Sequence, residues 1–222
     1  MRARPIAVLA LPLFLAPRAG DAATVRGFVS IESRKGNSDP SGVVVWLEGG
    51  PGPVPPPRRE RIETREKTFA PALLVVPPGS TVAFPNGDTI RHNVFSLSEG
   101  NPFDLGLYGK GESREASLPR PGIVRVYCNV HPKMAATIVV APARHVARAA
   151  ADGAFTMADV APGRYEIHAW DERGGTTTQA ITVGEADAPP VALALDARGY
   201  KARPHLDKNG RSYDERDAPP DY

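Results

Sequence analysis

The chain has 222 residues, with 27 Lys and Arg against 25 Asp and Glu, so its formal net charge is only +2. That field is too weak to argue for a nucleic-acid partner, and Arg2, Arg4 and Arg18, balanced there by Asp21 alone, supply the excess at the N-terminal end. The chain is rich in proline, with 24, and carries one cysteine.

Residues 1–22 open with Arg2 and Arg4, run through an apolar stretch from Ile6 to Leu15, and end in small residues around Ala22 and Ala23. This reads as a secretory signal peptide, and its apolar stretch is too short, and too broken by Pro12 and Pro17, for a membrane span. The mature chain is then expected to be soluble, near neutral, and periplasmic or secreted. Two strand-like runs follow, Thr24 to Glu32 and Val43 to Glu48, joined by the turn-rich Lys35-Gly36-Asn37-Ser38-Asp39-Pro40. Pro51-Gly52-Pro53-Val54-Pro55-Pro56-Pro57 opens a stiff, solvated linker over 51–59.

Downstream, His92 lies between two apolar, strand-like stretches, Val82-Ala83-Phe84 and Val94-Phe95. In Gly122-Ile123-Val124-Arg125-Val126-Tyr127-Cys128, alternation places Val124, Val126 and Cys128 on one face and Ile123, Arg125 and Tyr127 on the other. Pro132 cannot continue a ladder, so Asn129 to Pro132 reads as a turn. The run Ala136 to Val140 then re-enters the sheet and leaves Met134 near its start. After residue 148 come Gly153-Ala154-Phe155-Thr156-Met157, a run from Pro162 to Trp170, and two further strands, Gln179 to Val183 and Val191 to Leu195. Glu166, His168 and Trp170 alternate onto the face opposite Tyr165 and Ile167, where they are candidates for an exposed binding surface. The tail 196–222 mixes charges with Gly199, Gly210 and Pro219-Pro220, has no apolar period, and reads as a charged, disordered arm.

One short loop therefore gathers a thiol, an imidazole and a thioether at Cys128, His131 and Met134, and His92 offers a second imidazole. Two imidazoles and a thiolate in a trigonal plane with a weak axial thioether suit a mononuclear copper ion that cycles between two charges. Zinc could also take one Cys and two His, although structural zinc sites favour more thiolates and a catalytic site would not want methionine. A lone cysteine on an apolar face is, taken alone, more often packed core than ligand. In an oxidising compartment, however, it is a reactive liability that ligation in a core would protect.

Phe84, Asn86, His92-Asn93-Val94-Phe95, Pro121-Gly122, Tyr127-Cys128, His131-Pro132 and Met134 resemble the cupredoxin family of plastocyanin-like blue copper proteins over roughly residues 60–142, and the loop spacing is most like that of amicyanin. The resemblance implies a Greek-key β-sandwich with one type 1 copper site held by His92, Cys128, His131 and Met134. It further implies that Asn93 fixes the two ligand loops together, often through its backbone N–H to the thiolate, and that His131, rimmed by Pro132, is the electron port. The flanks, with an opening Gly-x-Val strand, Asp152-Gly153-x-Phe155 and Pro162-Gly163-x-Tyr165, resemble the carboxypeptidase regulatory-like β-sandwich.

The expectation is an all-β chain whose cupredoxin domain, residues 60–142, is inserted into a second small sandwich built from 24–50 and 148–195; a serial layout is the competing arrangement. The expected function is an exported copper protein that carries single electrons between redox partners such as a c-type cytochrome or a dehydrogenase. It is not expected to be an enzyme, because only His145, His168 and His205 remain for a second metal centre. A copper carrier, or a non-redox module with structural copper, is the alternative. Arg91 and Lys133, close in sequence to the two histidines, would steer an acidic partner if exposed.

Overall fold

The structure, a computed structural model, describes residues 22–186, 189–202 and 204–213. The expected signal peptide falls almost wholly outside the described residues, as does the end of the tail. Among the described residues every regular element is a strand, and no helix is long and apolar enough to cross a membrane. The chain opens with β1 (Ala23–Ser33), β2 (Gly36–Ser38) and β3 (Val44–Gly49). Next come β4 (Arg59–Arg61), β5 (Glu63–Arg65), β6 (Thr68–Ala70), β7 (Leu73–Val76), β8 (Ser80–Pro85) and β9 (His92–Ser96). The middle of the chain ends with β10 (Phe103–Tyr108), β11 (Ser113–Leu118), β12 (Gly122–Cys128) and β13 (Ala135–Val140). The last strands are β14 (His145–Arg148), β15 (Ala154–Val160), β16 (Gly163–Asp171), β17 (Gly175–Val183) and β18 (Val191–Asp196).

Strand pairing divides these elements cleanly. The first three strands pair only among themselves and with the last five, in the sheets β15-β1-β18, with β2 on β1, and β14-β3-β16-β17. The ten strands between pair among themselves, as β10-β9-β12-β13-β7, β11-β8-β4 and the hairpin β5-β6. One sandwich is thus inserted into the other. The chain leaves the outer sandwich after β3 and returns at β14, which lies antiparallel beside β3 with Arg148 opposite Val44. The return comes at His145, before the expected boundary at 148, because His145-Val146-Ala147-Arg148 is too short and mixed to show a period.

Each sandwich has its own core. Val25, Val29, Ile31, Val45, Leu47, Phe155, Ile167 and Leu193 fill the outer one. Phe84, Val94, Tyr108, Leu118, Val124, Val126, Cys128, Met134 and Ile138 fill the inserted one. A third cluster joins them, with Val44, Trp46 and Trp170 from the outer sandwich meeting Val139, Ala141 and Ala143 from the inserted one. This explains why Val43-Val44-Val45-Trp46-Leu47 shows no polar alternation: the strand is covered on both faces, as a continuous apolar run signals. Ile138-Val139-Val140 follows the same rule, with Val139 facing the partner sandwich. It also corrects the reading of the Glu166, His168 and Trp170 face. Trp170 is buried between the sandwiches, and His168 stacks on Trp46 with ring centroids 4.9 Å apart. Only Glu166 is exposed.

Arg125 to Glu172 at 3.1 Å and the Arg148 guanidinium to the Leu73 carbonyl at 2.7 Å add polar ties between the sandwiches. The proline-rich segment runs along the surface, where Arg144 donates to the Pro53 carbonyl at 2.9 Å. Because Trp170 is, with Trp46, one of the two largest side chains bridging the two bodies, Trp170→Ala should cost about 3 kcal/mol, as large-to-small core changes do. Thermal unfolding followed by calorimetry should then separate into two transitions; a single transition at the parent temperature would count against the shared cluster.

Candidate metal centre

The site is built from one strand pair and one loop. β9 and β12 are antiparallel neighbours, with Val94 opposite Cys128. His92, two residues before Val94, therefore shares a face with Cys128 as its diagonal neighbour, within reach of a long side chain. After Cys128 the chain turns: the Met134 N–H donates to the His131 carbonyl at 3.0 Å, and the Cys128 N–H donates to the Met134 carbonyl at 3.3 Å. This compact turn around Pro132 folds His131 back over the thiol and returns Met134 to the core.

Cys128 Sγ lies 3.7 Å from His92 Nδ1 and 3.6 Å from His131 Nδ1. The three donor atoms fall within 4.8 Å of one another, and the imidazole rings are 4.8 Å apart at 46°. With metal–sulfur and metal–nitrogen bonds of about 2.3 and 2.0 Å, a trigonal arrangement sets sulfur and nitrogen about 3.7 Å apart. The two sulfur–nitrogen separations therefore already match the spacing a metal ion requires. Cys128, His92 and Met134 are buried, whereas His131 is half-buried and its neighbours Pro132 and Lys133 are exposed. Met134 belongs to the same core cluster as Cys128.

Electrostatics fit the same use. Burial pushes the Cys128 thiol above its ordinary value, while the backbone N–H groups of Val130, Asn93 and His131 work to lower it. A deprotonated sulfur here needs a positive charge beside it, and a metal ion supplies one. Burial also lowers the pKa of His92, opposed by Asp88 and assisted by Lys67, so its ring is neutral with a lone pair to give. The contact from Asn93 places its backbone N–H toward the thiol, the arrangement that the family resemblance implies.

Sequence reasoning missed Asp88. His92 Nε2 lies 2.9 Å from Asp88 Oδ2, so that nitrogen carries the proton, and Nδ1 faces Cys128 with its lone pair. Asp88 is itself anchored. Its carboxylate accepts the backbone N–H groups of Glu66 at 2.6 Å and Lys67 at 2.9 Å. Both residues sit at positive φ, 53° and 56°, in the two-residue turn of the β5-β6 hairpin, a primed geometry that usually selects Gly or Asn. The strain is held where the turn's two N–H groups reach the carboxylate. Burial works to raise the Asp88 pKa, but the Lys67 and Glu66 N–H groups and His92 outweigh it, and the carboxyl stays ionised below its usual range. Asn86 completes the frame, accepting the Asp88 N–H at 2.9 Å and donating to the Ile90 and Tyr108 carbonyls. The signal was present as Asn86-Gly87-Asp88, a polar turn four residues before the histidine.

Of the remaining candidates, His145 and His168 lie in β14 and β16 with β3 between them, away from this site. His205 and the tail come close. The His205 ring stacks on Tyr127, with centroids 4.2 Å apart, and Tyr213 donates its hydroxyl to the Cys128 carbonyl at 3.1 Å. Residues 204–213 are thus docked on the inserted sandwich, not a free arm; the signal missed was the pair of rings, His205 and Tyr213, within a polar segment.

No family model matches the chain, and no curated protein matches it. Among solved structures it is similar to a purple cupredoxin from Nitrosopumilus maritimus, at 24% identity over 36% of this chain and 98% of that one, with a TM-score of 0.33. A copper-containing nitrite reductase from Thermus scotoductus SA-01 matches at 27% identity over 41% of this chain but only 23% of that one, with a TM-score of 0.35. A point mutant of amicyanin, in its Cu(I) form, matches at 19% identity over 37% of this chain and 82% of that one, also at 0.35. These overlaps are partial, and it is the spacing of the donor atoms that bears on the chemistry of the site.

Replacing Asp88 with Ala removes the charged acceptor that orients His92. Metal affinity should fall roughly tenfold or more, as for other carboxylates behind a ligating histidine. Chelator competition measures it, and an affinity equal to the parent's would show that the ring is held by packing alone.

Proposed function

We propose that the chain is an exported type 1 copper protein that carries single electrons between redox partners, with His92, Cys128, His131 and Met134 as the residues that would hold the copper and the Met134 thioether as the weakest donor among them. The observation that carries the reading is the buried thiol set between two imidazole Nδ1 atoms at 3.6 and 3.7 Å, with only His131 reaching the surface. The copper ion would supply the one-electron couple. The protein's part is to hold the donors on strand ends and a closed turn so that little rearranges when the charge changes, and to exclude water from the thiolate. Softness favours copper over zinc, because a thioether packed in the same core adds nothing to a zinc site.

His131 is the port in this reading; exposed Pro132 and Lys133 follow it in the chain, and exposed Arg91 precedes the other histidine, His92. These exposed cations, each beside a histidine ligand in the chain, favour an acidic docking surface on a partner such as a c-type cytochrome or a dehydrogenase, acting on encounter rate more than on affinity. Export follows from the leader-like residues 1–22. The domain division follows the strand pairing, with the inserted sandwich bearing the site and the outer one serving as its mount. Carriage is preferred to catalysis because, among the described residues, a single cluster, His92, Cys128 and His131, could hold a metal.

The purified protein with Cu(II) should show an intense blue thiolate-to-copper absorption that ascorbate bleaches and reoxidation restores. Cys128→Ser should abolish the band, and Met134→Leu should retain copper while raising the reduction potential. A colourless complex, or a colour that does not cycle, would favour a non-redox copper-binding or carrier module instead.

A further inference from the structure

The segment His205-Leu206-Asp207-Lys208-Asn209-Gly210-Arg211-Ser212-Tyr213 is folded on itself before it touches anything else. Asp207 accepts the backbone N–H groups of Asn209 and Arg211 at 2.9 and 2.8 Å, and its own N–H donates to the Arg211 carbonyl at 2.8 Å. Gly210 closes the turn at φ 76°, a conformation that side-chain-bearing residues rarely adopt.

Three residues of this turn reach the two pieces of chain that carry the metal donors. Tyr213 donates its hydroxyl to the carbonyl of Cys128 itself. The Lys208 backbone N–H donates to Asn129 Oδ1 at 2.8 Å, while its ammonium donates to Asp104 Oδ2 at 2.8 Å. The other oxygen of Asp104 accepts the Asn93 side-chain amide at 2.6 Å, and Asn93 follows His92 directly. His205 seats the segment by stacking on Tyr127 and meeting Tyr213 edge-on at 5.2 Å.

We propose that residues 204–213 are a clasp of the metal centre, in which Lys208 and Tyr213 act as positioning residues that tie the His92 end of β9 to the Cys128–His131 loop. Lys208 is the keystone, because it bonds the loop through Asn129 and reaches β9 by way of Asp104 of β10 and Asn93, while the His205 ring spans Phe95 of β9 and Tyr127 of β12. The Asp104–Lys208 pair is partly exposed and by itself worth little. Its value lies in geometry, since it fixes the spacing of two elements whose ladder pairing is confined to the short Tyr127–Cys128 stretch of β12. Such outer contacts commonly set how firmly a metal is held.

As far as the metal is concerned, the inference rests on the copper reading, but the clasp is a property of the chain without metal. The test uses the full chain and its Lys208→Met, Lys208→Arg and Tyr213→Phe variants, together with a chain ending at Arg203. In the metal-free proteins, amide hydrogen exchange across residues 128–134 should accelerate in Lys208→Met, Tyr213→Phe and the shortened chain, while exchange in β1 and β16 stays unchanged. In the copper-loaded proteins, transfer of copper to a chelator should be roughly tenfold faster in Lys208→Met, with a shifted reduction potential, and Lys208→Arg should recover most of the parent behaviour. Parent-like exchange and parent-like copper loss in the shortened chain would overturn the clasp. A chain that never turns blue, yet whose 128–134 exchange still depends on Lys208, would refute the copper reading and leave the clasp standing.

Discussion

The structure depends on a sulfur atom in a dry place. Cys128 ends a strand whose alternate residues, Val124 and Val126, build the core of the inserted sandwich, so the same pattern that folds the sheet delivers the thiol into low dielectric. A bare thiolate is disfavoured there without a positive charge beside it. A cation held by Cys128, His92 and His131 would supply that charge. The surrounding features then read as restraints on that ion's ligands: the turn from Asn129 to Met134, the carboxylate behind His92, and the N–H groups directed at the sulfur.

Rigidity is supplied in layers. His92 is oriented by Asp88, Asp88 by a strained hairpin turn, and the loop by its own closing hydrogen bonds. Behind these, β13 and β7 of the inserted sandwich are backed by Val44, Trp46 and Trp170 of the outer one, so the sheet that carries the site is covered on both faces. A metal that changes charge by one unit asks for donors that stay in place, and a sheet pinned from behind meets that demand better than one open to water. The outer sandwich backs that sheet through Val44, Trp46 and Trp170 and supplies none of the clustered donors His92, Cys128 and His131.

Much of this was legible in the chain. The alternation before Cys128 gave strand, face and burial together, and the offsets to His131 and Met134 gave a turn that brings them close. The uninterrupted apolar runs at Val43 to Leu47 and Ile138 to Val140 carried the sign of double coverage, although which surfaces meet could not be read from either run alone. What escaped was of another kind. Asp88 is a common turn residue until the ring of His92 is seen beside it. Trp170 alternates like an exposed residue and is buried by a sheet remote in sequence. The tail lacks any apolar period because it docks through a few rings and hydrogen bonds instead of a core face, and such contacts leave no periodic trace.

X-ray absorption at the copper edge, on the oxidised and the reduced protein, tests the central claim most directly. One sulfur and two imidazole nitrogens in the first coordination sphere, at distances that barely change on reduction, is the result this account predicts. A shell without a short copper–sulfur bond, or one rebuilt on reduction, would contradict it.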